Sequence, residues 1–99
     1  MPTSLPSLRK RIDRIDLQLL RLLNRRAALA LRVGRLKARR GLSVFDRQRE
    51  AEVLRRLARA NHGPFPSRAI AQMFRHILRQ SRALEASATN TRQSIVHSR

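Results

Sequence analysis

The residues best placed to do chemistry in this sequence are charged side chains where helical spacing asks for hydrophobes. Arg26 interrupts an apolar series that runs Leu8, Ile12, Ile15, Leu19, Leu22, then Leu29, Val33 and Leu36. Lys37 follows eleven residues after Arg26, which on a helix turns it only about 20° away and places it ~16 Å further along the axis. Two long cationic side chains so placed reach opposite ends of one small anion. Glu50 stands three and four residues before Val53 and Leu54 and leans toward the same core, with Arg49 beside it and Asp46 at the helix start. Ser81 and Glu85 prolong the apolar stripe of Ile70, Met73, Phe74, Ile77, Leu78 and Leu84. A buried charge costs several kcal/mol unless it is paired or meets a ligand. Each residue also has an ordinary explanation: Arg26 pairing with Glu50, Lys37 snorkelling to water, Asp46 capping a helix, Ser81 tolerated in a core, Glu85 near an exposed helix end. Together they outline a pocket for a small, multiply charged, hydroxylated anion.

The elements that must position these groups are three helices. The alternating steps of four and three predict one very long helix from about Ser4 to Arg40, the seam of a helix packed on other helices. At ~1.5 Å per residue it spans roughly 55 Å, whereas a compact domain of this size has a radius of gyration near ~13 Å. It overshoots any globule the chain builds alone, so a second copy is expected to cover it. Arg39-Arg40-Gly41 suits its C-terminus. Gly34 inside it costs roughly 1 kcal/mol relative to alanine, which predicts close approach of another backbone. Asp46 caps a second helix from about Arg47 to Ala60. The run Asn61-His62-Gly63-Pro64-Phe65-Pro66 breaks the chain, and a third helix runs from about Ser67 to Ala86. The fold class is therefore all-α, one helical domain over residues 1–86, with a second chain expected to cover the long helix. From Ser87 to Arg99 the periodicity lapses into Ser, Thr, Asn and Gln, the composition of a disordered tail.

Composition narrows the partners. There is no cysteine, and the three histidines, His62, His76 and His97, have no ligand spacing, so a structural metal is not expected. No apolar run reaches the ~20 residues of a membrane span, and the start of the chain lacks a signal-peptide pattern, which makes a cytoplasmic location the expectation. Twenty-three basic residues against six acidic ones give a net charge of +17. Such an excess attracts nucleic acid or small anions. Three Phe with no Tyr or Trp provide little base stacking, so nucleic acid is the less favoured partner.

Read in order, the runs Leu8-Arg9-Lys10-Arg11-Ile12-Asp13-Arg14-Ile15-Asp16, Leu22-Leu23-Asn24-Arg25-Arg26 and Val33-Gly34-Arg35-Leu36-Lys37 resemble the long first helix of the all-helical chorismate mutases. Val44-Phe45-Asp46-Arg47-Gln48-Arg49-Glu50 resembles that family's Asp-x-x-Arg-Glu element, and Phe74 to Ile77 with Ser81 to Glu85 resembles its last helix. The resemblance covers about residues 5–86. It implies an intertwined homodimer that converts chorismate to prephenate without cofactor, metal or covalent intermediate. It further implies that Arg26 and the partner's Arg9 hold the substrate carboxylates. Lys37 would reach a carboxylate and the ether oxygen of the breaking bond. Glu50 would accept from the ring hydroxyl near the Asp46 backbone, with Arg49 supporting that edge. Ser81 would contact the ring carboxylate, and Glu85 would face the ether oxygen. Lys37, Glu85 and Arg26 would thus be catalytic. Relatives carry Gln or Glu at the last position; Gln donates a hydrogen bond at any pH, Glu only when protonated. Arg9 lies ~26 Å from Arg26 and roughly 100° around the helix, so it reaches such a pocket only from another chain. Two rivals stand beside this reading: an isochorismate pyruvate-lyase on the same fold, and a basic helical dimer that binds nucleic acid.

Overall fold

The computed structural model describes the backbone of residues 4–97 and the side chains of residues 4–88. Over that range the chain forms three helices and no strand: α1 (Leu5–Arg40), α2 (Arg47–Ala60) and α3 (Ser67–His97). The expected starts of all three, and the ends of the first two, agree with these limits. Each boundary has a local cause. Ser4 caps α1 by accepting from the Ser7 N–H at 3.2 Å, and Pro6 sits in the first turn, where a missing N–H costs nothing. Gly41 ends α1 in the left-handed region at φ 66°. Its N–H reaches the Ala38 carbonyl and the Leu42 N–H the Lys37 carbonyl at 2.9 Å, the paired bonds of a Schellman turn. Asp46 caps α2, its Oδ1 accepting from the Arg49 N–H at 3.0 Å. Asn61 then staples the second turn, donating to the Phe65 carbonyl and to Ser67 Oγ while accepting from the Gly63 N–H.

The third helix runs past the end expected near Ala86. α3 continues as helix to His97, and nothing between Ala86 and His97 is Gly or Pro, the residues that stop a helix most strongly. Positions 98 and 99 of the expected tail lie outside the described residues.

α3 packs against both α1 and α2, while α1 and α2 do not pack on each other. The core is small: Ala30, Val53 and Leu78 are the buried hydrophobes among the described residues. The chain measures 64 × 30 × 15 Å with a radius of gyration of 18.0 Å, well beyond the ~13 Å of a compact domain of similar length. Every residue of α1 from Leu5 to Arg25 is exposed. The apolar seam is therefore bare in the single chain; Ile12, Leu22 and Leu29 keep 55–56 % of their surface.

Gly34 is buried at the closest approach of α1 to α3. A Cβ there would stand 2.7 Å from both Cα and the carbonyl oxygen of Glu85, and neither backbone atom can turn aside. Gly34→Ala is expected to push α1 and α3 apart and destabilise the fold by about 1–3 kcal/mol, the usual cost of overpacking, despite the better helix propensity of alanine. A thermal melt read by circular dichroism checks this; a melting temperature equal to or above the parent's would contradict it.

Candidate active site

All three helices line a cavity of about 410 Å³, within the size range of small-molecule pockets. Its charged and hydroxyl-bearing lining is Arg26, Lys37, Asp46, Arg49, Glu50, Ser81, Arg82 and Glu85, set among Leu29, Val33, Val53 and Leu78. Seven of these eight polar residues are the ones that helical spacing singles out. α1 presents the two cations, α2 with its cap presents Asp46, Arg49 and Glu50, and α3 presents the remainder.

Lys37 is held on two sides. Its Nζ donates to the Val44 carbonyl at 2.7 Å and to Glu85 Oε1 at 2.7 Å. The Lys37 backbone carbonyl also accepts from the Leu42 N–H, so one residue anchors the turn after α1 at both of its ends. The Lys37 side chain keeps 17 % of its surface and that of Glu85 11 %, which places the pair away from most screening water. Arg26 Nη1 donates to Ser81 Oγ at 2.6 Å. Ser81 in turn donates to the Ile77 carbonyl at 2.9 Å, so its proton is committed and a lone pair faces the guanidinium.

The alternative of an Arg26–Glu50 pair does not form. Glu50 Oε2 instead lies 3.0 Å from Arg82 Nε, and the Arg82 guanidinium sits over the Phe45 ring, 4.6 Å from its centroid. Arg82 escapes notice in the sequence because Ser81 and Glu85 continue the stripe without it. Yet Leu78, Ser81, Arg82 and Glu85 share one helix face at spacings of three and four, and that signal is there to find. Arg49 lines the cavity, but its guanidinium turns outward to Glu52 at 2.7 Å and away from Glu50. Arg9 is exposed on the uncovered half of α1, ~26 Å along the helix from Arg26, and is not part of this chain's cavity. Among the described residues no cluster of three or more His, Asp or Glu could hold a metal ion, and no helix is long and apolar enough to cross a membrane.

Three helices that gather guanidinium, ammonium, hydroxyl and carboxylate groups around one cavity define an all-helical protein with a highly charged pocket. Residues 8–86 match the family model of chorismate mutase type II, and the chain belongs to that family. It is similar to a chorismate mutase of Thermus thermophilus, with 41 % identity and a TM-score of 0.81 over 82 % of this chain and 92 % of that one. It is 41 % identical over 85 residues to a bifunctional chorismate mutase/prephenate dehydratase of Aquifex aeolicus, a match covering 82 % of this chain and 24 % of the relative. A T-protein of Enterobacter agglomerans is 37 % identical over 82 residues, again 82 % of this chain and 22 % of the relative. The chain thus spans about a quarter of the length of the curated relatives it matches.

The Lys37–Glu85 contact makes a stability prediction independent of any reaction. Lys37→Met removes the ammonium that the largely buried Glu85 carboxylate meets at 2.7 Å and is expected to cost roughly 1–3 kcal/mol. Adding Glu85→Gln to Lys37→Met should recover part of that loss. Urea unfolding of the single and double variants measures both; a double variant less stable than Lys37→Met alone would refute the coupling.

Proposed function

We propose that the protein is a chorismate mutase that acts as a homodimer and converts chorismate to prephenate. Family membership and the gathering of Arg26, Lys37, Glu50, Ser81 and Glu85 around one cavity support the reading. The observation that carries it is the Lys37 ammonium, fixed between the Val44 carbonyl and Glu85 at the cavity wall. In this rearrangement one C–O bond breaks and one C–C bond forms within a single molecule. No proton, electron or group is exchanged, so the protein has only to orient the substrate and stabilise charge.

Orientation comes from clamping both carboxylates, Arg26 on one and the partner's Arg9 on the other, which holds the substrate in the compact chair its reacting ends require. Ser81 lies beside Arg26 and completes the contact to the ring carboxylate. Glu50, next to Asp46, accepts from the ring hydroxyl. Bond breaking runs ahead of bond making and leaves negative charge on the ether oxygen. A cation already fixed there by two hydrogen bonds favours the transition state over the ground state, because little reorganisation is required as the charge develops. Lys37 is that cation, and Glu85 faces the same oxygen.

The dimer follows from the same physics. Burying the exposed half of each seam residue against a second α1 would stabilise by roughly 1 kcal/mol per side chain. The cavity's cations, Arg26, Lys37, Arg49 and Arg82, outnumber its carboxylates, Asp46, Glu50 and Glu85, by one. A bound dianion would leave it one charge negative. The partner's Arg9 would restore neutrality.

Purified protein offered chorismate is expected to form prephenate. Arg26→Ala and Lys37→Ala should each lose at least about a hundredfold in kcat/KM, as removal of a charge-stabilising donor does elsewhere, with the dimer intact by analytical ultracentrifugation. Faster release of pyruvate from isochorismate than formation of prephenate, or full activity in both variants, would overturn the assignment. Glu85→Gln, whose amide is a permanent donor to the ether oxygen, should keep kcat/KM within about tenfold of the parent, whereas Glu85→Ala should lose at least about a hundredfold. Equal kcat/KM in Glu85→Ala and the parent would rule out this role for Glu85.

A further inference from the structure

Arg82 lines the cavity, yet the reading above gives it no task. We propose that Arg82 is a positioning residue for substrate recognition: it holds the Glu50 carboxylate at the cavity wall, turned to receive the substrate hydroxyl. The inference rests on the mutase reading and adds to it a residue that sets how the ring hydroxyl is read.

Glu50 shares its cavity with Arg26, Lys37 and Arg49. Each attracts a carboxylate, and a Glu50 that swung toward Arg26 or Lys37 would occupy ground meant for a substrate carboxylate. A cation behind Glu50 opposes that swing. Arg82 Nε stands 3.0 Å from Glu50 Oε2, with the two side chains 33 % and 20 % exposed. The Nε atom is buried and stands against Glu50 Oε2. One guanidinium nitrogen on one carboxylate oxygen leaves Glu50 with acceptor capacity for a hydroxyl donor.

The guanidinium is itself held in place. It lies over the Phe45 ring at 4.6 Å, a cation–π contact that a planar arginine makes well and a lysine makes differently. Phe45 follows Val44, whose carbonyl accepts from Lys37. Arg82 thus connects α3, the Glu50 turn of α2 and the loop that fixes Lys37. Purely structural glue would serve any substrate equally, whereas a positioning role acts through Glu50.

A double-mutant cycle on the full chain separates the two. Arg82→Gln is expected to lower kcat/KM for chorismate about tenfold, chiefly by raising KM, in the range found for coupled residues in contact. In a Glu50→Gln background the same change should cost less than about twofold. Arg82→Lys, which keeps the charge and guards against a variant that fails to fold, should recover part of the loss in the parent and none in the Glu50→Gln background. Equal losses in both backgrounds, or a fall in kcat with KM unchanged, would overturn the proposal while leaving the mutase reading standing. A parent protein with no activity on chorismate would instead overturn the reading on which it rests.

Discussion

The structure depends on how closely α1 and α3 approach at Gly34. With no side chain there, Glu85 comes to rest against the α1 backbone. From that contact the register of the site follows. Lys37, one turn further along α1, meets the Glu85 carboxylate at 2.7 Å, and Arg26, two turns back, meets Ser81. An alanine at position 34 would move both pairs at once, because a helix is stiff and transmits a local displacement along its length. The packing of the smallest residue thus decides the placement of the most highly charged ones.

Charge inside the cavity is balanced with care that the surface does not share. The chain carries a large excess of arginine, but the cavity holds carboxylates nearly equal in number to its cations. Each of the four cavity cations sits against an oxygen: Lys37 on Glu85, Arg26 on Ser81, Arg82 beside Glu50, and Arg49 on Glu52 outside the cavity. Such pairing answers the desolvation cost that unpaired ions in a part-buried site would carry. It also pre-organises the wall, since groups that already have partners do not wander. The surplus positive charge lies outside, where it is hydrated and where its consequence is attraction of anions over longer range.

The length of α1 belongs to the same account. A chain with so few buried hydrophobes has little core with which to support a 36-residue helix. The bare seam and the remote Arg9 sit together on the uncovered half of that helix. An association that buried the seam would also carry Arg9 toward a neighbouring cavity, so assembly and completion of a site would be one event.

Much of this was legible in the sequence, and for definite reasons. Leu8 to Leu36 recur with helical period, Gly41 and Asp46 carry the chemistry of a helix stop and a helix start, and both act within a few residues of themselves. The inward cations Arg26 and Lys37 were legible too, because one helix's geometry relates them without reference to any other element. The helical continuation beyond Ala86 was not: a polar composition weakens a helix signal, but only Gly or Pro strongly opposes extension. The pairings were beyond reach for a different reason. Whether Arg26 meets Glu50 or Ser81, whether Arg49 turns inward or toward Glu52, and whether Arg82 joins the cavity all depend on how α3 is set against α1 and α2. Periodicity states which face a side chain occupies; the partner across a cavity is chosen by distances of a few tenths of an ångström between helices far apart in sequence. The sequence by itself determined the helices, the limits of α1 and α2 with the start of α3, and most of the groups that face inward. Only the tertiary structure decided which oxygen each cation holds, because hydrogen bonds and ion pairs fall off over lengths that a helical repeat does not specify.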